Sequence, residues 1–232
     1  MTVALLLGGG APNLTYMAGA LTALEDRGVE FDVVSTSRAG MLIGLLYAAP
    51  KGTTRREALE NTKNVGVHDA IYDLFPVNYK IFHKPGPWAE LYTRMWQPFL
   101  FPRPGMTDAQ RFWHDCAAFW AAALCPSGAG PASLGMCQPA PWIEAFVDFE
   151  KLRRFPGDFY INAYNITDGH MDMFSKEEIT SDHFRAALAM PLIYPPFRLK
   201  GKYYIEGSVI DCLNYEGLLV EKRPNLDVIV VF

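Results

Sequence analysis

The chain opens on apolar runs separated by turns. Residues 3–7, "VALLL", form a continuous hydrophobic stretch, as expected of a parallel strand covered on both faces. Three glycines turn the chain, and residues 14–28, "LTYMAGALTALEDRG", carry apolar positions at helical spacing up to a stop at Gly28. "FDVVS" (31–35) is a second short strand, and "MLIGLLYAA" (41–49) is a strongly apolar helix ending before Pro50. Strands alternating with helices at this spacing predict a parallel α/β sheet. A more polar helix is expected near 53–64.

The pattern then changes. Residues 78–142 hold all five tryptophans (Trp88, Trp96, Trp113, Trp120 and Trp142) and many of the prolines. Within them, residues 107–125 read as one helix opened by a capping box, with Thr107 at N-cap and Gln110 at N3. Trp113, Cys116, Trp120 and Leu124 follow on one of its faces. Residues 125–141, rich in Gly, Pro and Ser, are a loop. The segment 78–142 is expected to be a helical insertion that packs its aromatics onto the sheet; the alternative is a lid or a surface that settles at a lipid interface. From Trp142 onward the α/β pattern resumes: a strand over 158–166, a turn and second strand by 175, a helix from 181, a hairpin turning at Gly201, and a last apolar strand, "LDVIVVF". The expectation is a single α/β domain over 1–232. A last strand with nothing after it to cover it suggests a natural chain that continues past Phe232.

Composition narrows the function classes. The 232 residues are 50% hydrophobic and 20% charged, ample for a core. A formal net charge of −4 gives no electrostatic footprint for nucleic acid. Cys116, Cys125, Cys137 and Cys212 have no metal-ligand or C-x-x-C spacing, so no metal or cofactor is expected, and they read as reduced, mostly buried thiols. The N-terminus lacks a basic region and a cleavage site, and no stretch is long enough to span a bilayer. These features suggest a cytoplasmic protein whose membrane contact, where made, is peripheral.

Three segments carry candidate chemistry. Gly8-Gly9-Gly10-Ala11-Pro12-Asn13 lies between a strand and a helix N-terminus, where backbone N–H groups can face an anion. It reads equally as a tight turn, and it fits neither a G-x-G-x-x-G nor a P-loop pattern. A dinucleotide site is further disfavoured because Ser35, not an acidic residue, ends the second strand. Ser35-Thr36-Ser37-Arg38-Ala39 sits at a strand-to-helix turn, as a nucleophile elbow would, though Ser37 could equally be a helix N-cap. Glu206-Gly207-Ser208 follows the hairpin; its Glu is either a carboxylate reaching toward Ser37 or a solvated side chain before a turn. His68, His83, His114, His170 and His183 lie outside these turns and offer no evident triad partner.

In their order and surroundings these segments resemble the patatin-like phospholipases, a family with a G-G-G-x-R/K-G oxyanion loop, a G-x-S-x-G elbow and a distant D-G-G/A motif. The likeness covers roughly residues 1–50 and 142–232 and extends to "FVDFEKLRRFPGDFYINAYNITDGHMDMFS" and "FRAALAMPLIYPPFRLKGKYYIEGSV". The resemblance implies a three-layer α/β/α fold with a mainly parallel sheet. It implies a serine acyl hydrolase of phospholipids or related lipid esters, working through an acyl-enzyme and a Ser–carboxylate dyad of Ser37 and Glu206. Gly8, Gly9, Gly10 and Ala11 would form the oxyanion hole, and Asn13 and Arg38 would meet the substrate. Pro12 stands where the family has Arg or Lys, Asn13 replaces a glycine, Ser35 and Ala39 replace the elbow glycines, and Glu206 replaces Asp. These departures leave a second reading open: a catalytically weak or inactive relative that binds lipid or a protein partner.

Overall fold

The computed structural model describes residues 1–10, 13–64, 70–74, 78–103, 105–219 and 226–232. Its elements, in chain order, are β1 (Val3–Leu7), α1 (Leu14–Glu25), β2 (Val33–Thr36), α2 (Arg38–Ala48), α3 (Arg55–Glu60), α4 (Ala70–Leu74), α5 (Pro87–Trp96), α6 (Asp108–Leu124), α7 (Ile143–Phe146), α8 (Phe149–Arg153), β3 (Asp158–Asn165), β4 (His170–Ser175), α9 (Ser181–Ala187), β5 (Phe197–Leu199), β6 (Lys202–Glu206), α10 (Glu216–Leu219) and β7 (Val228–Val231). They form two compact units, one of residues 1–60, 143–191 and 196–232, the other of residues 61–142 and 192–195.

The first unit is built on one mixed sheet of seven strands in the order β5-β6-β3-β2-β1-β7, with β4 also on β3. β7, β1, β2 and β3 run parallel, whereas β4, β5 and β6 pair antiparallel. Strand alternation sorts β2 between two faces. Val33 packs with Ala4, Leu6, Tyr160 and Leu218 of α10 on one face. On the other, α2 comes so close that a Cβ on Gly44 would touch Thr36 and Phe159. Helices therefore cover the sheet on both sides, as a three-layer fold requires. α2 is buried along its whole length after its first two residues, which explains why its sequence is apolar all round.

β3 is longer than its neighbours, and that length matters. One of its edges takes β4 over Tyr160–Asn165. The other is shared by two strands: β2, anchored from Asp158 to Ile161, and β6, anchored from Ala163 to Asn165. β2 and β6 run toward each other along that edge. Their C-terminal ends, Thr36 opposite Ile161 and Glu206 opposite Ala163, meet across the single position Asn162.

The second unit is helical. α6 begins with the expected capping box, Gln110 N–H donating to Thr107 Oγ1 and Thr107 N–H to the Gln110 side chain. Ile71, Tyr79 and Ala118 form its core cluster, joined by Cys116, Phe119 and Ala122. The buried Lys80 ammonium pairs with Asp115 at 2.8 Å. Of the aromatics expected to pack onto the sheet, Trp142 is buried, its indole donating to the Ile81 carbonyl of the same unit. Trp88, Trp113 and Trp120 are instead 73, 71 and 61% exposed, so the expected burial of these aromatics fails. The reason is helical phase: Trp113, Trp120 and Leu124 lie within about 40° of one another and roughly opposite buried Asp115 and Ala118. On α5, Trp88, Leu91 and Met95 make a similar exposed stripe facing away from buried Ala89 and Thr93. The thiol expectation also needs correction: Cys125 is buried, Cys116 and Cys137 are half-buried, and Cys212 is exposed.

Candidate active site

Three sequence segments converge at the carboxyl ends of β1 and β2, the usual ligand edge of an open α/β sheet. Leu7 and Thr36 are register partners, so the turns after β1 and β2 start side by side. The Ser37 N–H donates to the Leu7 carbonyl at 2.8 Å. Gly40, in the first turn of α2, lies against the same turn: a Cβ there would stand 2.4 Å from the Leu7 carbonyl oxygen and 2.6 Å from that of Gly8. The close approach that an elbow requires thus falls on Gly40, which leaves room for the methyl of Ala39.

The stretch after Glu206 closes the site from the other side. Asp211 organises it, its carboxylate accepting the N–H groups of Leu213, Asn214 and Tyr215 at 3.0, 2.9 and 2.7 Å. The bracket so formed presents two carbonyls to β2. Ser35 Oγ donates to the Asn214 carbonyl at 2.6 Å, and Ser37 Oγ to the Asp211 carbonyl at 3.3 Å. Asn162 Nδ2 donates to that same Asp211 carbonyl at 2.9 Å. The hydroxyl that Ser35 adds to the elbow is accommodated because its neighbour in α10 is Gly217, where a Cβ would lie only 2.1 Å from Ser35 Oγ.

Ser37 stands at the N-cap position of α2, but its side chain caps nothing. The N-cap explanation of this serine therefore fails, and its hydroxyl is directed at the 206–215 segment instead. Ser37 itself is extended (φ −140°, ψ 155°), and the strained residue of the turn is the next one, Arg38, at φ +55°. Ser37 is also 1% exposed, more enclosed than the projecting serine of an elbow.

Glu206 is buried, contrary to a solvated side chain before a turn. Its carboxylate meets the Arg38 guanidinium, with Nε 3.9 Å from Oε2. Oε2 accepts no hydrogen bond among the described residues, so Glu206 and Ser37 share one end of the sheet without being bonded to each other.

The glycine loop is only partly described. Ala11 and Pro12 lie outside the described residues, as does His68. Gly8 requires a correction. Its N–H donates to the Phe232 carbonyl at 3.0 Å, continuing the β1–β7 ladder, and is not available to an oxyanion. Gly9 and Gly10 are half-buried at the mouth of the turn, and the exposed Asn13 places its amide beside Gly9. Neither Asn13 nor Ser37 caps the helix it precedes, so no N-cap side chain occupies the first-turn N–H groups of α1 or α2. No cluster of side chains suited to a metal occurs among the described residues. No described histidine is hydrogen-bonded to Ser37 or Glu206.

Sequence reasoning missed Asp211, Asn214 and Asn162. An Asp with its partners two to four residues on is an Asx-turn pattern and could have been read. Asn162 carried no signal, being one polar residue inside a strand.

A family model described as "Patatin-like phospholipase" matches residues 5–219. Patatin-like phospholipase domain-containing protein 6 of Mus musculus is 39% identical over 80 residues, 33% of this chain and 6% of that protein. Lysophospholipase NTE1 of Kluyveromyces lactis is 23% identical over 216 residues, covering 91% of this chain and 11% of that one. Among solved structures, VipD from Legionella pneumophila aligns over 90% of this chain and 46% of its own, with TM-score 0.47 and 16% identity. The chain thus spans only a small part of the curated relatives it matches.

Proposed function

We propose that this chain, which belongs to the patatin-like phospholipase family, is a serine acyl hydrolase of phospholipids or related lipid esters that works through Ser37 and Glu206. Lipid acyl hydrolysis is the activity of the family; the dyad is our reading of this site. The observation that carries it is the meeting of the β2 and β6 ends across Asn162, which brings a hydroxyl and a buried carboxylate to one edge of the sheet with no described histidine bonded to either.

In this reading Ser37 Oγ turns from the Asp211 carbonyl to the ester and attacks its carbonyl carbon. The O–H proton passes to Glu206 as the Oγ–C bond forms. Gly9, Gly10 and Ala11, with the uncapped first turn of α2, donate to the oxyanion, each well-placed donor contributing about 3–4 kcal/mol to the transition state. Collapse expels the alcohol, which takes the proton from Glu206. Water then attacks the acyl-enzyme, giving its proton to Glu206, and the fatty acid leaves as the proton returns to Ser37.

The enzyme acts from the cytoplasm at a lipid surface, and the exposed Trp88, Trp113 and Trp120 are the kind of side chain that settles at such a boundary. Among the described residues no helix is long and apolar enough to cross a membrane.

A fluorophosphonate probe should label Ser37, and Ser37→Ala should lose both the label and fatty-acid release. Glu206→Gln should lower release by at least about a hundredfold, in the range for removal of a positioned general base. The resting contacts of Ser37 with Asp211 and of Glu206 with Arg38 favour one second reading, a lipid-binding relative without turnover. That reading wins if the folded protein resists the probe while wild type and Ser37→Ala retain lipid equally.

A further inference from the structure

Arg38 is the one residue of the elbow held in the left-handed region, at φ +55°, a conformation that an L side chain adopts at a cost. Its guanidinium bridges two environments: the side chain is 38% exposed, and the Glu206 carboxylate that it faces is 6% exposed. The contact is long, 3.9 Å from Nε to Oε2, beyond hydrogen-bond distance. It is also the only polar contact of the Arg38 side chain among the described residues, so the two Nη groups form an unpartnered fork beside the nucleophile. The Ser37 hydroxyl meanwhile donates to a main-chain carbonyl. At rest, then, the carboxylate is engaged by a cation and the hydroxyl by Asp211.

Resting on the hydrolase reading above, we infer that Arg38 is a positioning and specificity-determining residue, an anion-opened latch on Glu206. An arginine fork binds a phosphate group bidentately, a far better partner than one carboxylate oxygen at 3.9 Å. When the phosphate beside a scissile ester takes the fork, Glu206 loses its counter-charge and gains an anionic neighbour. The carboxylate is then released toward Ser37 Oγ and accepts its proton as the acyl bond forms. The phosphodiester is untouched. An uncharged ester leaves the latch closed and turns over slowly.

The test compares octanoyl lysophosphatidylcholine with monooctanoylglycerol, both as monomers in solution. Wild type should favour the phosphate-bearing ester by about tenfold or more in kcat/KM, carried mostly by kcat. Arg38→Gly suits the backbone at φ +55°, so it keeps the fold while removing the fork. It should bring the ratio near unity by lowering the phospholipid rate and raising the glyceride rate. Arg38→Lys should restore part of the preference. Inorganic phosphate that accelerates glyceride turnover in wild type, but not in Arg38→Gly, would assign the fork to a free anion. A substrate preference without that response would assign it to the tethered headgroup. A ratio unchanged by Arg38→Gly, in an enzyme whose Ser37 still takes the fluorophosphonate, would overturn the latch and leave the hydrolase reading standing. A wild type that neither takes the probe nor releases acid from either ester would overturn both.

Discussion

Gly217 permits a direct test of how the elbow tolerates its extra hydroxyl. In Gly217→Ala the new methyl would lie 2.1 Å from Ser35 Oγ, 3.0 Å from Ser35 Cβ and 3.2 Å from Tyr160 Cβ. The last two atoms are fixed to adjacent strands of the sheet and cannot retreat. The hydroxyl can rotate away only by breaking its 2.6 Å bond to the Asn214 carbonyl. Leaving that buried pair unmade costs about 1–3 kcal/mol. The residual crowding costs a further ~1–3 kcal/mol. Alanine's higher helix propensity returns about 1 kcal/mol at most. The net loss is about 1–6 kcal/mol, which for a chain of this size lowers Tm by roughly 2–24 °C. Ser35→Gly in the same background removes the clashing atom, so the double variant should recover at least about 1 kcal/mol relative to the sum of the single variants. Urea unfolding of all four species, followed by far-UV circular dichroism, measures the cycle. Gly217→Ala within about 0.5 kcal/mol of wild type, or strictly additive single variants, would refute the account.

Two further outcomes follow from the helical unit. His83 is buried there, and desolvation, only partly offset by the Lys80 backbone, pulls its pKa down to about 4. The unfolded chain protonates this ring near pH 6.5, so its contribution is fully present above that pH and is lost as pH falls through 4. The loss is about 3 kcal/mol, and His83→Leu should flatten the tryptophan-monitored stability profile between those limits; a wild-type profile already flat there would contradict it. Replacing Trp88, Trp113 and Trp120 together by Ser should cut co-sedimentation with phosphatidylglycerol–phosphatidylcholine vesicles at least tenfold while leaving turnover of a monomeric ester intact. Undiminished co-sedimentation would remove these side chains from any lipid contact.

The sheet strands and the helices α1, α2, α6 and α9 were legible because each rests on local signals: continuous apolar runs, Gly and Pro stops, and a capping box at Thr107. The three chemical segments were legible for a related reason, since each occupies a turn at a strand end. What the sequence concealed depends on partners distant along the chain. Whether Ser37 caps α2 or faces Asp211 is decided by a segment 174 residues away. The tolerance of Ser35 likewise rests on Gly217, a glycine that on its own reads as a weak helix position. Gly8 looked like a free donor in a glycine run until β7 paired with β1 and occupied its N–H. The tryptophans of α6 were correctly grouped by period, but period alone does not say whether a stripe faces a core or solvent.

The shared edge of β3 also makes that strand a ruler. Because β2 and β6 are both hydrogen-bonded to it, the interval between the Ser37 and Glu206 ends is counted in whole β3 residues, and the present count is one, Asn162. Inserting a single residue there would lengthen the interval by about 3.3 Å and turn one partner to the opposite face of the sheet. Displacements of about 1 Å already cost on the order of a hundredfold in rate. No rotamer change can subdivide a step of that size. Length variation in this chain is therefore confined to segments that do not meter the gap, such as the hairpin turn at 200–201, while 161–163 is fixed in number whatever residues fill it.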